Sequence, residues 1–585
     1  MSLINIKINN RPLQVEEGTS ILYAARKLKI DIPTLCYTPM HVVHEHNTRA
    51  SCRVCMVEVK GRRNLAPACH TACTEGMEIF TNTQRVIKAR RTVVQLLLSD
   101  HPLNCPACSK NMHCKLQAVA DQVGIRTVDF QGEIARPQVY AKENYPIKRN
   151  PAKCILCGTC VLVCNDVQTC GVLTEFKRGF HTEVGAEFGL PLSATACVAC
   201  GQCVNVCPTG ALESENEIDE VWKALGDPSK HVCVQVAPSV RAALGEEFGY
   251  NIGTPVTRKI PSLLRELGFE HVYDTNFGAD LTIVEEANEL VERIRKGGKL
   301  PLITSCCPGW INFLEKNYPE MEDYPSTCKS PMSMQGATIK SYLAKKMGWD
   351  PKDIVNVAVM PCTAKMDEVG RKQLAEDGYP DNDYVLTTRD LASMIKEAGL
   401  NFDDTEPSRF DDPLGESTGG ADIFGASGGV MEAALRCAKY WLEGKAENIE
   451  FPSLRGYEGI KEQEVTVAGM VLRCCAVSGL GNARKVLDGI KDGSLHYDFV
   501  EIMACPGGCI NGGGQPFQFS KESRHVVKGR MQALYNEDRG KIHRISAQND
   551  SVKEVYNEFF GEYGSEKAHK YLHTSYTDRQ KKIQH

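Results

Sequence analysis

Ile4, Ile6 and Ile8 alternate with polar residues, the chain turns at Asn9-Asn10, and alternation resumes through Leu13 and Val15. A period of two predicts a half-buried hairpin. Ser20 then opens a predicted helix reaching about Lys29, with the serine hydroxyl as its cap. Thr83 to Leu98 and Leu281 to Lys296 also read as helices, and Val232 to Ala237 as a strand. Three runs do not alternate: Lys299 to Ile303, Ile354 to Val359, and Tyr497 to Met503 are largely apolar, β-rich and bounded by Gly or Pro turns. Such runs predict strands buried on both faces of a parallel sheet. Each ends in cysteine: Thr304-Ser305-Cys306-Cys307-Pro308-Gly309-Trp310, Met360-Pro361-Cys362-Thr363-Ala364-Lys365, and Met503-Ala504-Cys505-Pro506-Gly507-Gly508-Cys509. Open α/β sheets place ligand sites at strand carboxyl ends, so these cysteines are expected to meet. Cys307, Cys362, Cys505 and Cys509 suffice to hold one cubane iron–sulfur cluster.

At 585 residues the chain is expected to hold several domains. A net charge of −5 gives no case for nucleic-acid binding. No apolar run approaches the roughly 20 residues needed to span a bilayer. The start, Met1-Ser2-Leu3-Ile4-Asn5, lacks the regions of a signal peptide, so the expected location is the cytoplasm, away from membranes. Twenty-seven cysteines then argue for metal rather than disulfides, which belong to small secreted domains. None follows Cys509.

The predicted fold is α+β and multidomain. Residues 1–78 read as a β-grasp, ferredoxin-like domain carrying Cys36, Cys52, Cys55 and Cys69; residues 79–120 as a small domain with His101, Cys105, Cys108 and Cys114. Four cysteines in the first suit a [2Fe–2S] cluster, and His plus three cysteines in the second suit a [4Fe–4S] cluster; zinc would use the same ligands in either. In 145–224, Cys154, Cys157, Cys160 and Cys164 repeat as Cys197, Cys200, Cys203 and Cys207-Pro208. This is the bacterial two-cluster ferredoxin spacing, in which each fourth cysteine serves the other cluster. Cys154, Cys157, Cys160 and Cys207 are thus expected to hold one [4Fe–4S], and Cys197, Cys200, Cys203 and Cys164 the next. Four such clusters in a row would make a one-electron wire. Residues 225–520 read as a large α/β domain with two lobes of mainly parallel sheet around the terminal site, and 521–585 as a helical tail. Cys73, Cys170, Cys233, Cys328, Cys437, Cys474 and Cys475 fall outside every spacing.

The three cysteine stretches, with Asn511-Gly512-Gly513-Gly514-Gln515-Pro516, are similar to the signatures of the iron-only, or [FeFe], hydrogenases, and the likeness covers essentially the whole chain. The Cys36 and His101 sets resemble domains that this family shares with respiratory complex I. The resemblance implies reversible oxidation of H₂ at an H-cluster, a cubane held by Cys307, Cys362, Cys505 and Cys509 and bridged through Cys509 to a di-iron unit with CO, cyanide and a dithiolate. It implies that Lys365 donates to a cyanide and that Met360 and Met503 pack beside the di-iron unit. Ala237, Pro238 and Phe424 would line the pocket.

Glu286, Glu289 and Arg293 share a helix face by spacing, which alone reads as a solvated, salt-bridging face. The resemblance implies instead a proton path through Cys306, Glu286, Ser326, Glu289 and Arg293. The tail, including Gly529 to Tyr535 and Lys567 to Tyr571, resembles the segment that some relatives carry as a separate small subunit. Tail and accessory clusters together look most like the catalytic subunit of multisubunit, NAD(P)-linked hydrogenases. That likeness implies flavin- and NAD(P)-binding and small iron–sulfur partner subunits, with ferredoxin as a further candidate if electrons are bifurcated. No G-x-G-x-x-G fingerprint follows a strand here, which puts the nucleotide site on a partner. A stand-alone ferredoxin-dependent hydrogenase, a non-catalytic iron–sulfur assembly factor and a complex I-like relay are the competing readings.

Overall fold

A computed structural model describes residues 2–37, 49–137, 145–445, 447, 449–517, 523–577 and 579. Leu3–Ile8 pairs antiparallel with Arg11–Glu16, setting Ile4 opposite Val15 and Ile6 opposite Leu13. Ile4, Ile6 and Ile8 are buried, as the alternation requires. Glu78–Phe80 lies parallel to the first strand and antiparallel to Met56–Val59, which with Ala66–Pro67 completes a five-stranded sheet. Helix Ile21–Lys27 packs Ile21, Leu22, Ala24 and Ala25 into the same core, and its Ser20 cap accepts from the Tyr23 N–H.

The region after residue 225 is built on two four-stranded sheets. His271–Asp274, His231–Val236, Ile354–Met360 and Tyr384–Thr387 are all parallel. In the other sheet Leu302–Ile303, Phe499–Met503 and Met470–Ser478 are parallel, and Ile460–Val467 closes an antiparallel edge. The three cysteine-tipped strands are therefore divided between the sheets.

Two expected boundaries differ. The run from Lys299 is a strand only at Leu302–Ile303, because Pro301 has no N–H to offer a ladder. The helix expected from Leu281 begins at Thr275, where the Asp274 carboxylate caps the Asn276 N–H, and runs to Lys296. Its first turns mix Thr, Asn, Gly and Asp yet are buried, a pattern that periodicity does not reveal.

The tail forms Ser523–Gly540, Asp550–Val555 running on through a wider turn to Phe560, and Glu566–Leu572. It is pinned to the two-sheet region by buried ion pairs, Arg530 with Glu246 and Arg436 with Asp538. Among the described residues no helix is long and apolar enough to cross a membrane.

Candidate active site and its electron path

The carboxyl ends of the cysteine-tipped strands meet at one cavity of about 780 Å³. Cys307, Cys362, Cys505 and Cys509 line it, with Cys306, Lys365, Ala237, Pro238, Met360, Phe424 and Met503. All of the pocket residues expected from sequence thus reach one chamber. Its wall is almost wholly apolar, and burial pushes the Cys362 thiol up to about 12 and raises those of Cys307, Cys505 and Cys509. Buried thiols this close cannot ionise together unless positive charge enters among them, and iron supplies that charge. Four thiols lining one cavity therefore suit, as a donor set, a cluster of several irons.

Lys365 enters from helix Ala364–Val369 and is held from behind. Its Nζ donates to Ser330 Oγ at 2.6 Å and to Glu368 Oε2 at 2.7 Å, with the Cys306 carbonyl at 3.4 Å. Glu368 also accepts from the Ser333 hydroxyl. Ser330 and Glu368 were not among the expected site residues, although Lys365 and Glu368 stand at i, i+3 on one helix face, which was the available signal.

Beside the chamber, Glu286 is fully buried, and neither carboxyl oxygen has a hydrogen-bond partner at bonding distance. The Ser305 N–H and the Ser326 hydroxyl face it, while burial, reinforced by the Glu289 charge, raises its pKa to about 8. Ser326 Oγ donates to Glu289 Oε2 at 2.7 Å, and Arg293 donates to Glu289 Oε1 at 2.6 Å. Arg293 is also bonded to the Tyr324 and Pro325 carbonyls. Cys306, whose thiol burial raises, sits close enough to Glu286 to feel its charge. The helix face that spacing alone would assign to solvent is therefore buried at Glu286 and half-buried at Glu289 and Arg293.

The accessory cysteines gather as well. Hydrogen bonding to Cys36 raises both Cys52 and Cys69, and Cys55 bonds to Cys69, so these thiols converge. Cys154, Cys157, Cys160 and Cys207 line a second cavity of about 440 Å³. Cys197, Cys164 and Cys203 cluster around Cys200, whose thiol burial pushes up to about 12. His101 is half-buried with no hydrogen-bond partner at Nδ1, and burial pulls its pKa down to about 4. Lys110 Nζ is buried without a hydrogen-bond partner, over the Phe517 ring and close to both Cys114 and Cys207.

These sets do not stand in a row. Cys200 lines the large cavity itself, and Gln202 and Asn205 donate to the Asn511 and Gly512 carbonyls beside Cys509. A Cβ at Gly513 would lie 2.7 Å from Gly201 Cα, so the two loops meet backbone to backbone. At the far side Cys157 packs with Cys36, Cys52 and Cys114 in one apolar cluster, and a Cβ at Gly210 would come within 3.1 Å of Cys108 Sγ. Both N-terminal sets therefore abut the Cys154 set, an arrangement branched like a fork rather than strung in a series.

Of the cysteines outside the motifs, Cys73, Cys233, Cys437, Cys474 and Cys475 are buried in hydrophobic cores. Cys170 is placed differently, beside the Cys197 set. Cys328 lies with Sγ 3.9 Å from Glu289 Oε2.

Residues 230–513 match the iron only hydrogenase large subunit, C-terminal domain; residues 524–579 match the iron hydrogenase small subunit. Residues 2–84 match a 2Fe-2S iron-sulfur cluster binding domain, 90–129 the NADH-ubiquinone oxidoreductase-G iron-sulfur binding region, and 153–211 a 4Fe-4S dicluster domain. NADP-reducing hydrogenase subunit HndD of Solidesulfovibrio fructosivorans is 47% identical over 99% of this chain and 100% of its own. Iron hydrogenase 1 of Clostridium pasteurianum is 40% identical over 98% and 99%. A solved variant of the [FeFe]-hydrogenase of Chlamydomonas reinhardtii is 39% identical, with a TM-score of 0.56 over 62% of this chain and 99% of that one.

Proposed function

The chain belongs to the iron-only hydrogenases, and we propose that within them it is the catalytic subunit of a cytoplasmic, multisubunit, NAD(P)-linked enzyme. The family's reaction is the oxidation of H₂, with electrons relayed through iron–sulfur clusters. Full-length identity to a subunit of an NADP-reducing hydrogenase carries the finer assignment. Flavin- and NAD(P)-binding and small iron–sulfur subunits would complete the assembly, with ferredoxin as an additional acceptor. The domain limits at 1–78, 79–120, 145–224, 225–520 and 521–585 are part of this reading.

Cys307, Cys362, Cys505 and Cys509 would hold the H-cluster cubane; Cys36, Cys52, Cys55 and Cys69 a [2Fe–2S]; the His101 set and the two ferredoxin sets three [4Fe–4S]. When bound, the H-cluster supplies heterolytic cleavage of H₂ and accepts its electrons. The chain does the rest. Lys365, locked by Ser330 and Glu368, presents an ammonium to the chamber, suited to a cyanide nitrogen. Met360, Met503, Phe424, Ala237 and Pro238 exclude water and leave the di-iron unit few other partners. Cys306 exchanges the proton with Glu286, which is neutral up to about pH 8 and so able to pass one on; Ser326, Glu289 and Arg293 continue the route outward. Retention of Cys306 and Lys365 disfavours an assembly factor, which has no use for a proton donor or an ammonium at that chamber.

The test is anaerobic purification from the native source. Copurifying nucleotide-binding subunits, NAD(P) reduction by H₂, and CO and cyanide infrared bands are expected. A chain that purifies alone and serves only ferredoxin would replace the NAD(P)-linked assignment with the stand-alone one.

A further inference from the structure

The Ser326 hydroxyl lies on a strip of chain, 324–329, that belongs to no sheet of its own. One edge is bonded to the first cysteine-tipped strand: the Ile303 N–H donates to the Tyr324 carbonyl and the Ser326 N–H to the Ile303 carbonyl. The other edge is bonded to the end of the tail. The Lys329 N–H donates to the Leu572 carbonyl at 2.8 Å and the Thr574 N–H to the Thr327 carbonyl at 2.7 Å, an antiparallel bridge between Cys328 and His573. Tyr576 donates its hydroxyl to the Ser326 carbonyl. His573 then ties the strip to the relay helix. Its Nδ1 lies 2.8 Å from Thr327 Oγ1 and its Nε2 3.1 Å from Glu285 Oε2, the carboxylate next in sequence to Glu286. Glu285 is further fixed by the Tyr556 hydroxyl and the Gly564 N–H, both from the tail.

We propose that residues 572–576 are a strap that positions Ser326 for the proton relay, with His573 and Tyr576 as positioning residues acting through the backbone of 326–329. The proposal rests on the relay reading above. Two observations carry it. The strip takes two peptide bonds of its outer edge from the tail, and the Ser326 carbonyl takes its hydroxyl donor there, so without the strap those backbone groups lose their partners. And the contacts are specific to this strip: a peptide ladder, a tyrosine on the carbonyl of Ser326 itself, and an imidazole bridging the residue beside Ser326 to the residue beside Glu286. The Ser326–Glu289 bond of 2.7 Å closes only if both sides of that bridge stay in register. A displacement of about 1 Å in a reacting group can cost on the order of a hundredfold in rate. The strap also accounts for a segment free of cysteines packing so closely on the catalytic region: it completes the proton route rather than the electron route.

The experiment uses the full chain with its clusters. Tyr576→Phe removes one hydroxyl and His573→Ala removes the bridge; each is made alone and together with Ser326→Ala. Turnover, its solvent hydrogen isotope effect and the CO and cyanide infrared bands are read together. The expected result is turnover reduced by about tenfold or more with a raised isotope effect and unchanged bands, and no further loss when either change is added to Ser326→Ala. If Ser326→Ala slows turnover but Tyr576→Phe and His573→Ala leave rate and isotope effect at the wild-type values, or if their effects add fully to it, the strap proposal is overturned and the relay stands. If Ser326→Ala itself turns over normally, the relay reading falls and the strap with it. Should His573→Ala fail to fold, the Tyr576→Phe arm decides.

Discussion

Glu285 and Glu286 are consecutive on one helix and meet opposite chemistry: Glu285 accepts from Tyr556 and Gly564, whereas Glu286 is buried with no partner at bonding distance.

Glu286 has its pKa raised by burial from an ordinary 4.5 to about 8. Between those limits the native state keeps a proton that the unfolded chain has released. Folding stability from this residue is therefore full below about pH 4.5 and is lost as pH rises toward about 8, at up to about 1.4 kcal/mol per pH unit. Glu286→Gln cannot ionise, so its unfolding free energy relative to wild type should climb across that window. Denaturant titrations at several pH values check this, and parallel profiles would show that Glu286 ionises normally.

Cys306→Ala is expected to lower H₂ turnover by about two to four orders of magnitude, the usual span for a positioned proton-transfer group. The infrared bands and cluster EPR should remain, since Cys306 is not among the expected ligands. Turnover near wild type would remove it from the route.

His101→Ala should abolish or shift one cubane EPR signal and spare the others, because its Nδ1 has no hydrogen-bond partner in the protein and is available as a ligand. An unchanged spectrum would strike His101 from the ligands.

Gly513→Ala forces a methyl to within 2.7 Å of Gly201 Cα, pushing the Cys200 loop away from the Cys509 loop. H/D exchange of H₂ in water, which needs no external acceptor, should persist while electron delivery to an acceptor dye falls severalfold. Equal loss of both activities would mean that the contact is merely structural.

Arg530 lies buried between Glu246, at 2.7 and 2.6 Å, and the Ile510 carbonyl. Arg530→Ala takes the two-pronged guanidinium contact from that carboxylate and should destabilise the chain by about 1.5–3 kcal/mol, read by chemical denaturation. A loss under about 1 kcal/mol would show that solvent reaches Glu246.

Much of this was legible in the sequence because cluster ligands come in rigid spacings and buried strands come in apolar runs. The hairpin at Ile4 to Val15 and the cysteine-tipped strands declared themselves in that way. What periodicity could not show was burial decided by distant partners. Thr275 to Asp280 reads as a polar approach to a helix and is instead its buried first turns. The division of the cysteine strands between two sheets depends on pairings such as Leu302 with Phe499, which no local pattern encodes. The order of the clusters was hidden for the same reason: Cys157 neighbours both Cys36 and Cys114, while the chain order suggests a line.

That fork turns one stream into a choice. In the proposed relay, electrons leaving the chamber would pass Cys200 and then the Cys154 set, after which they could turn toward Cys36 or toward Cys114. H₂ releases its two electrons together, whereas the junction passes them singly, so the second can follow a different exit from the first. How the output divides is then governed by which arm has been emptied more recently, and a slow acceptor at one end need not stall the chamber while the other stands open.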